Sequence, residues 1–214
     1  MARRAVRGHG STLDAVPAQR RTQQQRRETT ERALLDAAAA TVVEAGVRSL
    51  TLAEVARRAG YSRGIVTHQF GSKAALVGAL AAASQAGFVP GVDAHVPGLD
   101  RLFVLLGGYL AAFDDADVRV RAFLVLWVES ITSPELAPVF RERDASFRAD
   151  VRADVEAGQR AGAVPPGVDA HAVAALIVAE LRGLALQHLV APDDLDLRAV
   201  TTLLVRRWRD ALRA

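Results

Sequence analysis

Residues Thr51–Leu76 read TLAEVARRAGYSRGIVTHQFGSKAAL, two short helical patterns separated by Gly60-Tyr61-Ser62 and closed by Gly71-Ser72-Lys73. A helix meant only to fill a core could run straight through. Thr51 stands three positions before Glu54, the spacing of a capping box, and Leu50 and Val55 sit where a hydrophobic staple needs them, so a helix start is specified here. That helix should last only to Ala59, because Gly60 can take the left-handed conformation that ends it. Ser62 can then cap a second helix from Arg63 to Phe70. Gly71 stops this one, and Ser72 caps the next.

Two short helices joined by a three-residue turn make a helix-turn-helix. Val55, Ala56 and Ala59 can meet Tyr61, Val66 and Phe70 across the turn, and Ala56 is small enough to let the helices close up. The second helix of such a pair enters the DNA major groove. Its outward side chains, Arg63, Ile65, Thr67, His68 and Gln69, are donors, acceptors or methyl-bearing groups of the size that reads base edges. Gly64 lets backbone approach a phosphate. The breaks in the opening stretch thus expose a short, stiff reading helix.

Charge follows the same division. Residues 1–73 hold 13 Lys+Arg against 6 Asp+Glu, whereas the remaining 14 Lys+Arg face 18 Asp+Glu. A positive first third is the footprint of an end that meets phosphates. Residues 1–26 lack any apolar period and read as a basic, mobile arm, either a DNA contact or a solubilising tail. Half of the 214 residues are hydrophobic, enough for a large core, and the absence of cysteine excludes disulfides, thiolate metal sites and thiol nucleophiles. The longest apolar run, Ala74–Ala83, is far short of the roughly 20 residues of a membrane span. The reading is a soluble, cytoplasmic protein without a membrane partner.

Apolar residues recur at three- and four-residue spacing over about 28–45, and again at about 99–113, 118–131, 135–161, 169–190 and 197–212, between Pro, Gly and Asp breakers. No segment alternates as a half-buried strand does. The fold class is all-α. His95, His171 and His188 lack metal-ligand spacing, so no metal and no cofactor is expected, and no nucleophile–base pair or phosphate loop supports an enzyme.

The runs Leu34-Leu35-Asp36-Ala37-Ala38, Thr51-Leu52-Ala53-Glu54-Val55-Ala56, Ala59-Gly60-Tyr61-Ser62-Arg63-Gly64 and His68-Gln69-Phe70-Gly71-Ser72-Lys73-Ala74-Ala75-Leu76 resemble the N-terminal domain of the TetR family of transcriptional regulators. Beyond residue 87 only the helical pattern is similar. The resemblance implies a basic arm over 1–26, a DNA-binding domain over 27–87 and a ligand-binding and dimerisation domain over 88–214. It implies a homodimeric repressor that binds double-stranded palindromic operator DNA and is released by a small-molecule effector. It assigns Thr51 and Lys73 to phosphates and Arg63, Gly64, Thr67, His68 and Gln69 to the groove, with Ser62 at the head of the reading helix. Most members carry Tyr where this chain has Thr67. A subgroup that includes regulators of choline and betaine genes carries Ser or Thr there.

In the second part, Phe103, Tyr109, Phe113, Phe123, Trp127 and Phe147 stand at helical spacing and would line a cavity for a mainly apolar or cationic molecule. Glu129 would be its charge partner. Glu129 and Glu180, on otherwise apolar helices, suit either a ligand contact or a buried hydrogen bond. Gly107-Gly108 within a helix suggests close helix contact, a kink or room for a ligand. Val173, Ile177, Leu181, Leu184 and His188, with Leu204 and Trp208 on the last helix, form apolar stripes expected to make the homodimer as a twofold four-helix bundle. A DNA-binding protein of chromosome architecture is the other nucleic-acid reading, distinguished by indifference to sequence.

Overall fold

The computed structural model describes residues 23–85, 89–114 and 117–213. Every regular element among them is helical: α1 (Gln23–Ala45), α2 (Leu52–Ala59), α3 (Arg63–Phe70), α4 (Lys73–Gln85), α5 (Leu99–Asp114), α6 (Val118–Glu129), α7 (Ala137–Arg160), α8 (Ala170–Val190) and α9 (Leu197–Leu212). Two short 3-10 turns, Val47–Ser49 and Val92–Ala94, add to these.

α1 starts earlier than the apolar pattern indicates and takes in residues 23–26, which the sequence reading placed in the arm. Polar side chains sustain this first part: Gln24 Nε2 donates to Glu28 Oε1 at 3.0 Å and Thr29 Oγ1 to the Gln25 carbonyl at 2.7 Å. Such i,i+4 contacts hold helix without an apolar face. The rest of the expected arm, residues 1–22, lies outside the described residues.

The punctuation around α2 and α3 is local chemistry. Thr51 Oγ1 accepts the Glu54 N–H at 3.0 Å, and Gly60, at φ 73°, takes the left-handed turn while the Tyr61 N–H returns to the Ala56 carbonyl at 2.9 Å. Only half of the capping box forms. The Glu54 carboxylate turns forward to Arg57, at 2.8 and 2.5 Å, instead of back to the helix start. Ser62 and Ser72 cap α3 and α4 by accepting from Ile65 N and Ala75 N, at 3.4 and 3.1 Å.

Val55, Ala56 and Val66 are buried at the centre of the head, and the core continues without a break into the body through α1 and α6. α1 packs on α2 and α4 and runs broadly along α6; α4 packs on α6 as well. Asp36 Oδ1 of α1 accepts from Arg119 Nε of α6 at 2.5 Å, on the surface of this seam. Two helices from before the boundary expected at residues 87 and 88 thus pack on a helix that follows it. In the body α7 packs on α8, and α5 on α7, α8 and α9.

α8 is long and apolar enough, by length and composition, to cross a membrane. Ile177, Leu181 and Ala185 spend that apolarity inside the chain's own core, and Arg182 is buried beside them.

Candidate DNA interface and effector cavity

One face of α3 is fixed to the head by buried Val66 and half-buried Phe70; the other presents Arg63, Gly64, Ile65, Thr67 and His68 to solvent. Arg63 and Thr67 are one turn apart, as are Gly64 and His68, so these four share the outward surface. A Cβ on Gly64 would meet only Ser62 Oγ, at 3.8 Å. Packing within the chain therefore does not require this glycine. Arg57 and Arg58 of α2 pair with Glu54 and Glu44, whose carboxyls are held below the usual range by the guanidinium hydrogen bonds. Arg63 makes no ion pair among the described residues, which leaves its charge to an outside partner.

Two of the assigned side chains reach beyond their own helix to other parts of the chain. Gln69 is half-buried and donates from Nε2 to Glu31 Oε2 of α1 at 2.9 Å, which draws it toward the helix behind α3. Lys73 Nζ donates to the Val47 carbonyl at 3.1 Å, which sets it beside the turn leading into Thr51. An ammonium has three donors, so two remain for a phosphate, and the Thr51 hydroxyl still has its proton to give after accepting at the helix cap.

The body contains a cavity of about 600 Å³ walled by α4, α5, α6, α7 and α8. Tyr109, Phe123 and Phe147 line it, as expected, together with Gly78, Val89, Arg101, Leu105, Asp150 and Arg182. The Tyr109 ring stacks on Phe147 at 5.7 Å and meets Phe113 at 5.8 Å, so Phe113 backs the wall without forming it. Burial pushes the Tyr109 hydroxyl up to about 12, which keeps it neutral and protonated at physiological pH. Gly108 explains half of the glycine pair: a Cβ there would stand 2.5 Å from Val89 Cγ1, so the glycine makes room for Val89 in the cavity lining.

Three expected ligand residues lie elsewhere. Trp127 is behind the wall, its ring carrying the Arg182 guanidinium at 4.8 Å. Phe103 faces α9, with the Arg209 guanidinium 5.0 Å from its centroid. Glu129 is the last residue of α6 and does not line the cavity. The charge that does reach the interior is the opposite one: Arg182, 3% exposed. An arginine within the otherwise apolar run 173–186, two residues after Glu180, was the sequence signal for it, and half a turn of helix, about two residues, decides whether such a residue faces in or out.

The outward face of α8 and α9 also differs from the expected stripe. Ile177, Leu181, His188 and Trp208 are buried within the subunit, and Val173 is half-buried. Leu184 and Leu204 do border a shallow apolar groove between the two helices, together with Leu176, Ala179, Gly183, Val200 and Leu203. Leu176 and Leu203 are more than half exposed, at 56% and 55%. Of the two roles open to Glu180, the structure shows the hydrogen bond: it accepts from Trp208 Nε1 at 2.7 Å and pairs with Arg207.

Residues 34–80 match the family described as bacterial regulatory proteins of the tetR family, and residues 98–213 match the BetI-type transcriptional repressor C-terminal family. The HTH-type transcriptional regulator BetI of Cronobacter sakazakii (strain ATCC BAA-894) is 30% identical over 192 residues, covering 85% of this chain and 90% of its own. Its namesake from Stenotrophomonas maltophilia (strain R551-3) is 34% identical over 119 residues, covering 52% and 59%. Among solved structures, a TetR-family transcriptional regulator from Rhodococcus sp. superposes with TM-score 0.74 at 19% identity over 87% of this chain and 100% of that one. SmeT, in complex with triclosan, gives 0.73 at 21% identity over 87% and 92%. These two speak for the fold alone. The C-terminal match agrees with the subgroup similarity at Thr67, and family and relatives alike describe a regulator of transcription and not an enzyme. A reading helix with one free face, on a body of which residues 98–213 match the BetI-type model, places this chain in the TetR family of bacterial transcriptional regulators.

Proposed function

We propose that this protein is a cytoplasmic repressor that binds a palindromic operator as a homodimer and is released when a small molecule fills the cavity of its body. One observation carries the proposal: α4 begins at Lys73, beside the turn that leads to Thr51, and five residues later presents Gly78 to the cavity. A molecule in the cavity thus touches the same rigid element that positions the phosphate contacts. Arg63, Gly64, Thr67 and His68 read the groove, Lys73 and Thr51 hold phosphates, and Gln69 supports α3 from behind.

Two reading helices related by a twofold axis would recognise half-sites about one DNA turn or a multiple apart. The outward groove of α8 and α9, with Leu176 and Leu203, is the surface that would pair. Release requires differential affinity: a coupling of about 1–3 kcal/mol means that the effector prefers the DNA-free arrangement by that amount and that DNA weakens the effector equally. Selection of bound sequences from a random duplex pool tests the reading. A recovered palindrome supports it. Binding that is indifferent to sequence would overturn it in favour of an architectural protein.

A further inference from the structure

We propose that the cavity is built for an organic anion, a carboxylate on an apolar body, held by Arg182 at its inner end; this rests on the effector-binding reading above and specifies its ligand. Arg182 is 3% exposed and lines the cavity from α8. Its Nε and Nη1 meet no acceptor among the described residues, and these two nitrogens carry three of the five guanidinium N–H groups. Nη2 lies 3.6 Å from Asp144 Oδ1, beyond hydrogen-bond reach, and Asp144 is already engaged by Arg148. One carboxylate is shared by two guanidiniums, so the buried charge is under-compensated.

The aromatic residues fix how that charge is offered. The guanidinium carbon lies 4.9 Å from the Phe123 ring, 4.8 Å from Trp127 and 5.8 Å from Phe147. Rings satisfy the flat faces of a guanidinium through cation–π contact but accept none of its in-plane hydrogen bonds. What remains is a buried guanidinium with two nitrogens lacking an in-plane acceptor, beside a space lined by Leu105, Tyr109 and Phe123. A cavity of about 600 Å³ is within the roughly 300–1,000 Å³ range of small-molecule sites.

Acidic residues also line the cavity, and magnitudes decide between the two signs. Asp93, Glu142 and Asp150 are exposed, with Arg101 and Arg143 among them. Charges in water interact about fourfold more weakly than those at the effective dielectric of a protein site, and salt screens them further. The desolvated Arg182 therefore sets the preference at the inner end. Glu129, the expected partner for a cation, is not there to oppose it.

The test uses the full-length protein and three head groups on one skeleton: octanoate, octan-1-ol and octyltrimethylammonium, with 4-phenylbutyrate and its alcohol as an aromatic pair. Calorimetry and thermal shift should find the carboxylates bound best by the parent protein. Arg182→Gln should weaken them roughly ten- to hundredfold, the loss of a charge-assisted hydrogen bond, and leave the alcohols unchanged. Arg182→Lys should recover part of the difference. The comparison of head groups on the parent stands even if Arg182→Gln fails to fold. Trimethylammonium binding equal to or tighter than carboxylate would overturn the proposal, as would carboxylate affinity unchanged in folded Arg182→Gln, or no carboxylate binding at all. Gel shifts of the ligand-free parent on selected DNA separate the two readings: intact operator binding with no anion preference sinks only the anion, whereas anion binding without operator binding sinks the repressor.

Discussion

Arg63 and Lys73 are both cations of the head, but their surroundings suit them to different work. Arg63 points outward from the first turn of α3 with no ion pair among the described residues, whereas Lys73 is anchored by the Val47 carbonyl at the start of α4. A side chain that reads bases should cost about 1–3 kcal/mol on removal and relax preference at particular positions. One that holds phosphate should weaken every sequence alike. Arg63→Ala should thus flatten the selected consensus, and Lys73→Ala should lower affinity uniformly and reduce the salt slope by about one unit. Titrations against operator and random duplex at several salt concentrations distinguish them; identical profiles for both variants would undo the division. Tyr109 carries a prediction of its own. Its hydroxyl, raised to about 12 against an unfolded value of 10.0, holds its proton in the folded chain while the unfolded chain releases it. Stability from this group is therefore complete below pH 10 and lost as pH rises through about 12. In Tyr61→Phe, the single remaining phenol should ionise by ultraviolet absorbance near that upper value, and ionisation close to 10 would mean that the ring is wet.

Among the helices, α5 shows how a backbone position can serve a cavity. Replacing Gly108 by Ala should bring about 1 kcal/mol of helix propensity but force its new Cβ against Val89 Cγ1, a stiff β-branched neighbour 2.5 Å away. Overpacking of this kind costs typically 1–3 kcal/mol. Gly108→Ala should destabilise alone and stabilise in a Val89→Ala background, and denaturant melts of the four proteins in the cycle measure the coupling; additivity would show that Val89 does not press on the helix. The same contrast between local and distant causes explains what the sequence made legible. Thr51, Gly60, Ser62 and Gly71 act on backbone within a few residues of themselves, and the start and end of α2 and α3 stand where those residues put them. The inward face of α8 was not legible because the helix is apolar on nearly every side, so its period carries no direction. Ile177 and Leu181, expected on an interface, turned inward for this reason. The burial of Arg182 is equally illegible in the sequence, because it depends on rings from α6 and α7, contacts between elements far apart in the chain.

For the molecule as a whole, the proposed homodimer rests on the exposed surface of α8 and α9. Leu176 and Leu203 border one apolar groove, and Glu placed at both would bury unpaired charge in any twofold contact made there. The double variant Leu176→Glu, Leu203→Glu should sediment at the 22.8 kDa of one chain, keep its helical spectrum and lose most of its operator affinity, since one reading head holds half of the contacts. A parent protein that already sediments as one chain would remove this surface from the account. The head, finally, is attached to the body through two rods, α1 and α4, both seated on α6. A plate held by one rod can swing about it; held by two, it keeps its attitude and moves only as its support moves. A swing of α4 alone is thus opposed by the packed α1–α6 seam, to which the surface pair of Asp36 and Arg119 adds. The operator should feel this rigidity as a strict ruler. One base pair added between half-sites turns the second site by roughly a tenth of a turn, more than a head so braced can follow, so gel shifts on a spacer series should show one sharp optimum. Asp36→Asn, by loosening one of the two rods, should broaden it.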